Sequence, residues 1–555
     1  MRPLRLRAIH VPCRRKATTF EMWASAAIIV VIALLVGSTF YIGVKKHLVG
    51  TIAGEEWGRY LFGIGAALTQ SRFGISGFVI DNPIEQKLQT EGLTDNSEML
   101  NALGVKFPDN LRDERLLQRA LEQARLFDVP PPPPGDYQRL RGSSGDDVGI
   151  VTYTRLSFWL FGLRVSSLYY TYFVLLAAAI ILFSLSHCRS PTAMACLALL
   201  ILSLYLLVAS DLVNFVRELP RYVDQSGVDI KDPRFVGTIA AVPALHLIVA
   251  WIRDIHMRKL DYVLLAGQAC LLTLVLHIRW PLLWLIIALC GYWALLIPWR
   301  RETMAVNIRK FCNPRSSRSL FPIGMLVLVV SAGILATSIA AHPVYRLEGD
   351  LLHHPVWHNM MTSLEKSPEW DRKYLATVNA IRGDLMPTEI ARQEIAKLPP
   401  DQRAQYLIGR INWPTNQAVN LFARKRFFEI LRTDPWVVLE VFLLENPNQA
   451  LVSATRFYFE LVRVLSPLNV IAIIGVMIVS IWIVASDVEA PSILGVIMPV
   501  AFVFALVALI PLVIAIPHQM IMIDHFLWFL FFLCLLACSQ GVTLVHRVRH
   551  VAGGK

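Results

Sequence analysis

Two pairs of adjacent carboxylates stand out in a chain otherwise poor in charge. Glu55 and Glu56 lie in AGEEWGRYL, with Tyr60 one helical turn further on. Asp146 and Asp147 lie in GDDVGIVTYTRLSFWLFG, directly before an aromatic-rich apolar run. A positioned carboxylate can take a proton from a hydroxyl as general base, and oxygen ligands of this kind hold divalent cations. Glu55, Glu56, Asp146 and Asp147 are therefore the candidate catalytic residues. Glu55 and Glu56 are also the candidate ligands for a divalent cation, the only cofactor the sequence gives reason to consider. Each pair has a plainer reading as the acidic start of a helix, where carboxylates suit the dipole and the cap. Residue types alone leave both readings open.

A third cluster, HPVYRLEGDLLHHPVWHNM, places His342, Arg346, His353, His354, Trp357 and His358 within twenty residues. His354 and His358 share a face if the segment is helical, although Pro355 sets the helix start there. A zinc site needs a third ligand, and the H-E-x-x-H pattern is absent. Arg346, His353, His354 and His358 match a phosphate better, because guanidinium and imidazole donors both pair with its oxygens. Interfacial packing of Trp357 and the histidines is the alternative. Asp211, Arg217 and Arg221 follow another apolar run, and His518, Asp524 and His525 flank the start of the last one. Ionisable groups at membrane depth face a protein interior or a wet cavity more often than lipid. With Tyr60, Asp211 and Arg217 complete the candidate substrate contacts. His246 reads as a hydrogen-bonded core histidine.

The elements that position these residues are apolar runs. Of the 555 residues, 55% are hydrophobic and only 17% charged, against about 25% charged in soluble domains. The apolar residues are gathered into stretches long enough to cross a hydrocarbon core. The expected fold is an all-α polytopic membrane protein with about ten transmembrane helices, near 22–44, 165–186, 193–215, 236–252, 261–278, 281–299, 320–341, 466–486, 491–516 and 522–545. The first is too long for a cleavable signal and reads as an anchor. Two long segments, 45–164 and 342–465, separate spans 1, 2–7 (165–341) and 8–10 (466–545), with tails at 1–21 and 546–555.

The net charge of +12 is concentrated at the ends of apolar runs, as in Arg2, Arg5, Arg7, Arg14, Arg15 and Lys16 at the start, and Arg300, Arg301, Arg309 and Lys310 after the sixth run. That is the positive-inside pattern, and no nucleic-acid module accompanies it. An even span count puts both termini in the cytoplasm and both long segments outside, where functional loops belong. Neither long segment contains a cysteine or an N-x-S/T sequon. The first excludes a disulfide framework there, and the second leans towards a bacterial inner membrane.

Within the first long segment, 53–70 and 108–127 read as amphipathic helices, and Pro130 to Pro134 as a stiff connector. Within the second, NLFARKRFFEILRTDPWVVLEVFLL mixes aromatics with Arg424, Lys425, Arg426 and Arg432. Its first half suits either a helix in the headgroup plane or one packed on other loop helices. No Walker A, G-x-S-x-G or Rossmann fingerprint is present.

The joint arrangement resembles the GT-C superfamily of integral-membrane glycosyltransferases. GEEWGRYLFGIGAAL is similar to the acidic pair and tyrosine that open the first outer loop of such enzymes. VTYTRLSFWLFGLRVSSLYYTYFVLL is similar to their aromatic approach to the second span, which ends in Phe-Gly. GDDVG departs from the family, where a His- or Pro-containing motif is usual. The resemblance covers the topology and about 60 residues of motif. It implies transfer of a sugar from a polyprenyl-phosphate donor to a glycan or glycolipid acceptor. It also implies that Glu55 or Glu56 is the base or metal-orienting group, with Asp146 and Asp147 as a second acidic contact. Two other classes remain in view: a transporter or flippase for a lipid-linked sugar, and a non-catalytic membrane assembly protein. A transporter would line its spans with charges at mid-depth, and few are seen.

Overall fold

The computed structural model describes residues 19–43, 78–80, 140–143, 148–162, 166–209, 233–253, 259–279, 282–299, 356–383, 385–408, 413–463, 466–511 and 519–553, with five isolated helical positions between 324 and 335. The described residues are helical apart from two small antiparallel pairs. One joins β1 (Phe78–Ile80) to β2 (Leu140–Ser143), the other β3 (Leu407–Ile408) to β4 (Trp413–Pro414). β2 and β3 touch, so the two long segments meet there.

Among the described residues, seven helices are long and apolar enough to cross a membrane: Met22–Gly43, Ser166–His187, Pro191–Ala209, Phe235–Ile252, Leu260–Ile278, Ala490–Val507 and Met522–Val551. They match the first five and last two expected spans. The expected sixth and eighth spans contain the shorter apolar helices Leu283–Tyr292 and Asn469–Val484. The expected seventh, 320–341, lies almost wholly outside the described residues, as do the two amphipathic stretches expected in the first long segment.

The bundle comprises α1 (Thr19–Gly43), α2 (Val148–Phe161), α3 (Ser166–His187), α4 (Pro191–Ala209) and α5 (Ala241–Arg253), which is preceded by a 3-10 segment, Pro233–Ala240. It continues with α6 (Lys259–Ile278) and α7 (Leu283–Trp299). α4 is its centre, with every residue buried. The alanines Ala193, Ala195 and Ala198 let neighbouring backbones approach, which is how helices associate where lipid removes the hydrophobic drive. α1 packs on α4 through Ala24, Ile28, Ile32 and Leu35, a single stripe at i, i+4, i+8 and i+11. Buried polar groups are paired across helices: Tyr153 donates to the Leu168 carbonyl at 2.6 Å, Tyr172 meets Thr238 at 2.9 Å, and Gln268 donates to the Ala179 carbonyl at 2.7 Å.

The Phe-Gly of the second-span approach has a physical cause. Gly162 follows α2 with φ +88°, a left-handed conformation that costs a glycine little, and its N–H donates to the Phe158 carbonyl at 3.0 Å. The chain thereby turns out of α2 and into α3.

A second core is built from the second long segment. It contains α8 (Val356–Ser363), α9 (Pro368–Lys373), α10 (Leu385–Ala396), α11 (Pro400–Arg403), α12 (Asn416–Thr433) and α13 (Pro435–Glu440). Ser367 caps α9 and Thr415 caps α12, each accepting a backbone N–H of the first turn. Trp370, Met361, Leu364, Phe422, Phe427, Ile430 and Val437 fill the centre. A π turn, Val441–Glu445, then leads through α14 (Asn446–Arg463) to α15 (Pro467–Val484), α16 (Ala490–Val507) and α17 (Gln519–Gly553).

This second core receives one face of α12. Phe422, Phe427 and Ile430 point into it, while Lys425 pairs with Glu394 at 3.2 Å and Arg426 with Glu429 at 3.0 Å. That face is packed on loop helices, while Leu421 and Phe428 stay exposed. Phe422 and Phe427 go inward because α8 and α10 supply an apolar face to receive them.

Candidate functional site

One end of the bundle collects ionisable and aromatic side chains. It is the end at which α6 finishes, α5 and α7 begin, and α17 starts. α6 stops at Ile278 because Pro281 follows, and the residue before a proline disfavours helix. The turn leaves Arg279 at the edge of the bundle, its N–H donating to the Val275 carbonyl at 2.8 Å. Arg279 is buried, and a guanidinium removed from water needs a countercharge.

Asp524, in the first turns of α17, supplies it. Arg279 lies close enough for its charge to act on the Asp524 carboxylate, which also accepts a hydrogen bond from the buried Trp284 at the start of α7. Gly237, in the 3-10 segment, is the floor. A β-carbon there would stand 3.6 Å from Arg279 Cγ and 3.7 Å from an Asp524 carboxylate oxygen. Asp524 itself is only half-buried. The cluster therefore holds a partly buried carboxylate between a buried cation and a Trp indole.

Around it lie further groups. His525 Nδ1 is 2.9 Å from the Ala505 carbonyl, and its Nε2 is 3.4 Å from the Tyr458 hydroxyl of α14. On the other side, α2 seats on the end of α6. Gly149 makes this possible, because a β-carbon there would come within 2.0 Å of the His277 carbonyl oxygen. Thr152 Oγ1 lies 3.4 Å from His277 Nε2. Asp146 and Asp147 immediately precede α2 in the sequence.

Most of the expected site residues fall outside the described residues: Glu55, Glu56, Tyr60, Asp146, Asp147, Asp211, Arg217, Arg346, His353 and His354. The expected divalent ion at Glu55 and Glu56 falls there with them. His358 is described. It sits half-buried in the first turns of α8, with Nδ1 3.4 Å from Asn359 Oδ1. Next to it, Trp357 carries Arg424 over its ring at 5.7 Å. Among the described residues no three His, Cys, Asp or Glu side chains group as metal ligands. His246 is a core histidine as expected, packed against His187 at 4.8 Å between ring centroids, but its Nδ1 makes no hydrogen bond.

The sequence singled out Asp524 and His525 but missed Arg279 and Trp284. Arg279 reads there as an ordinary basic flank in HIRWPLLW. The signal that singles it out is its position: it is a cation in a connection of only a few residues between two apolar runs.

The lengths and apolarity of the helices define the class, an integral membrane protein. Comparison with protein families, curated proteins and solved structures gives no match for this chain.

Proposed function

We propose that the protein is a membrane glycosyltransferase that moves a sugar from a polyprenyl-phosphate donor to a glycan or glycolipid acceptor. The observation that carries the reading is the half-buried Asp524 held between Arg279 and Trp284 at the loop-bearing end of the bundle. Of the three, the carboxylate is the group that acts on substrate; Arg279 and the Trp284 indole N–H are already engaged with it and hold it ionised and in place. A carboxylate takes the acceptor proton as the hydroxyl oxygen bonds to the anomeric carbon, and the lipid phosphate leaves with the electron pair of the broken bond. Placement at a bundle end fits a donor whose tail lies in lipid and whose phosphate lies in the headgroup plane. In this reading Glu55, Glu56, Asp146 and Asp147 supply the remaining acidic contacts, with any divalent cation at Glu55 and Glu56. Arg346, His353, His354 and His358 add phosphate contacts from the second long segment. The membrane is the bacterial inner membrane, with both termini cytoplasmic.

The test is complementation of a deletion strain, read by surface glycan and glycolipid profiles. Loss of one glycan or glycolipid, restored by the wild type but not by Asp524→Asn, Arg279→Gln, Glu56→Gln or Asp147→Asn at equal membrane levels, is expected. An unchanged profile on deletion, or full rescue by all four variants, rejects the reading.

The transporter reading has one observation of its own, the buried His187 and His246 rings packed together inside the bundle. Ionisable side chains at such depth mark translocation paths in many transporters. Uptake or flipping of a fluorescent lipid-linked sugar in proteoliposomes, abolished by His246→Ala, is the outcome that would favour it.

A further inference from the structure

The helix joining the two cores buries different faces along its length. Val437, Val438 and Val441 enter the loop core, whereas Ala450, Ala454 and Phe457 enter the bundle core. The π turn between them adds residues to one turn and so rotates the second half against the first. A third face, opposite both, stays uncovered from end to end. It carries Trp436, Leu439, Leu443, Leu444, Leu451, Val452 and Phe459, between 40% and 72% exposed. Scattered apolar exposure is ordinary, but seven large side chains along one helical ridge are not. Elsewhere the loop core exposes Arg372, Lys373, Thr377, Arg382, Arg392 and Lys397, with the apolar Val356, Leu385, Leu421 and Phe428 spread among different helices.

We propose that this ridge is a lipid-contact surface that seats the second long segment on the bilayer, its apolar side chains lying at the boundary between headgroups and acyl chains. The occupant is fixed by continuity with the membrane-crossing part of the protein. Phe457 stacks on Phe526 at 3.7 Å, and Phe526 belongs to the apolar helix Met522–Val551. Two residues after Phe457, Phe459 points away from the bundle at about the same depth. A few residues later the chain enters α15, whose apolar stretch is Asn469–Val484. A helix with one face on a membrane bundle and the other apolar face outward lies against lipid. The proposal does not depend on the transferase reading.

The test uses the full chain in vesicles of phosphatidylethanolamine and phosphatidylglycerol carrying an alkyne-tagged phospholipid. A benzophenone amino acid is placed at Leu443, Leu451 or Phe459, and at Thr377 on the polar side as control. Lipid adducts at the three ridge positions about tenfold above the control are expected for a surface buried in the acyl boundary. Adducts to a second copy or to another part of the chain, or lipid yields equal to that at Thr377, overturn the proposal. Leu444 and Val452 replace any position whose variant fails to accumulate, since they lie on the same ridge.

Discussion

At the scale of the residue, Arg279 and Asp524 have separable roles. Asp524→Asn keeps the shape and the Trp284 contact but removes the charge that offsets Arg279. Breaking a buried pair costs about 3–5 kcal/mol, so a loss of stability accompanies the loss of charge. Asp524→Asn is expected to lower kcat by about 10²–10⁴-fold, the usual worth of a general base. Arg279→Gln acts through Asp524 by removing its countercharge, and is expected to lower kcat less than Asp524→Asn does, with KM for the donor little changed. Steady-state kinetics on protein in nanodiscs, with melting curves alongside, separates the two; equal loss of kcat and stability in both variants would make the pair purely structural. Gly149 gives a second prediction. Gly149→Ala drives a methyl group into the His277 backbone, which cannot swing aside as a side-chain tip can. A loss of about 1–3 kcal/mol and an unseated α2 are expected, read by increased hydrogen exchange at Tyr153. Much of this site could be read from the sequence only as residue types. Asp524 and His525 were visible as ionisable groups at the start of an apolar run. Their partners were not, because Arg279 and Trp284 come from a different hairpin and only packing brings them together.

At the scale of the element, the long apolar helices were the most legible feature, since length and composition decide them without reference to neighbours. The direction taken by α12 was not legible. Its aromatics and cations suit a membrane surface or a protein core equally, and only the presence of α8 and α10 shows which face is packed on protein. The element that does carry an exposed apolar ridge is the next helix, where the π turn changes the buried face. That turn is held by polar groups: Ser367 donates to Glu440 at 2.6 Å, and the Lys366 ammonium donates to Asn446. Burial pushes Lys366 down from the usual lysine range to about 7, with Glu445 opposing the shift. The folded protein thus releases a proton near pH 7 that the unfolded chain holds until about 10.4. Between these values the unfolded state binds more protons, so stability gains from rising pH in that window. Lys366→Met abolishes this contribution. Its advantage in melting temperature over the wild type is expected to be largest below pH 7 and to shrink as pH rises towards 10. A pH-independent difference would mean that the lysine is already screened by its neighbours.

At the scale of the whole molecule, one helix among the described residues ties two apolar cores, and their stabilities should come apart when the tie or one core is damaged. The loop core is organised on Trp370, fully buried and packed on Tyr374 at 5.0 Å between centroids. The bundle core does not contain it. Trp370→Ala therefore removes about 3–5 kcal/mol, the usual cost of a large aromatic truncation, from the loop core alone. Hydrogen exchange is expected to rise across residues 356–441 and to stay slow in α4, whose residues are all buried in the bundle. Phe457→Ala acts on the tie instead. It removes the stack on Phe526 and loosens the Tyr458 contact with His525, while Trp370 keeps its surroundings. Exchange should then rise in α14 and at the start of α17, with the loop core protected. The second variant also touches function, because Tyr458 and His525 stand beside Asp524. If the loop core positions acceptor or donor over that carboxylate, Phe457→Ala lowers transfer without unfolding either core. A variant in which both cores lose protection together would show that the helix makes them one cooperative unit, and would move the second long segment from a docked module to part of the bundle itself.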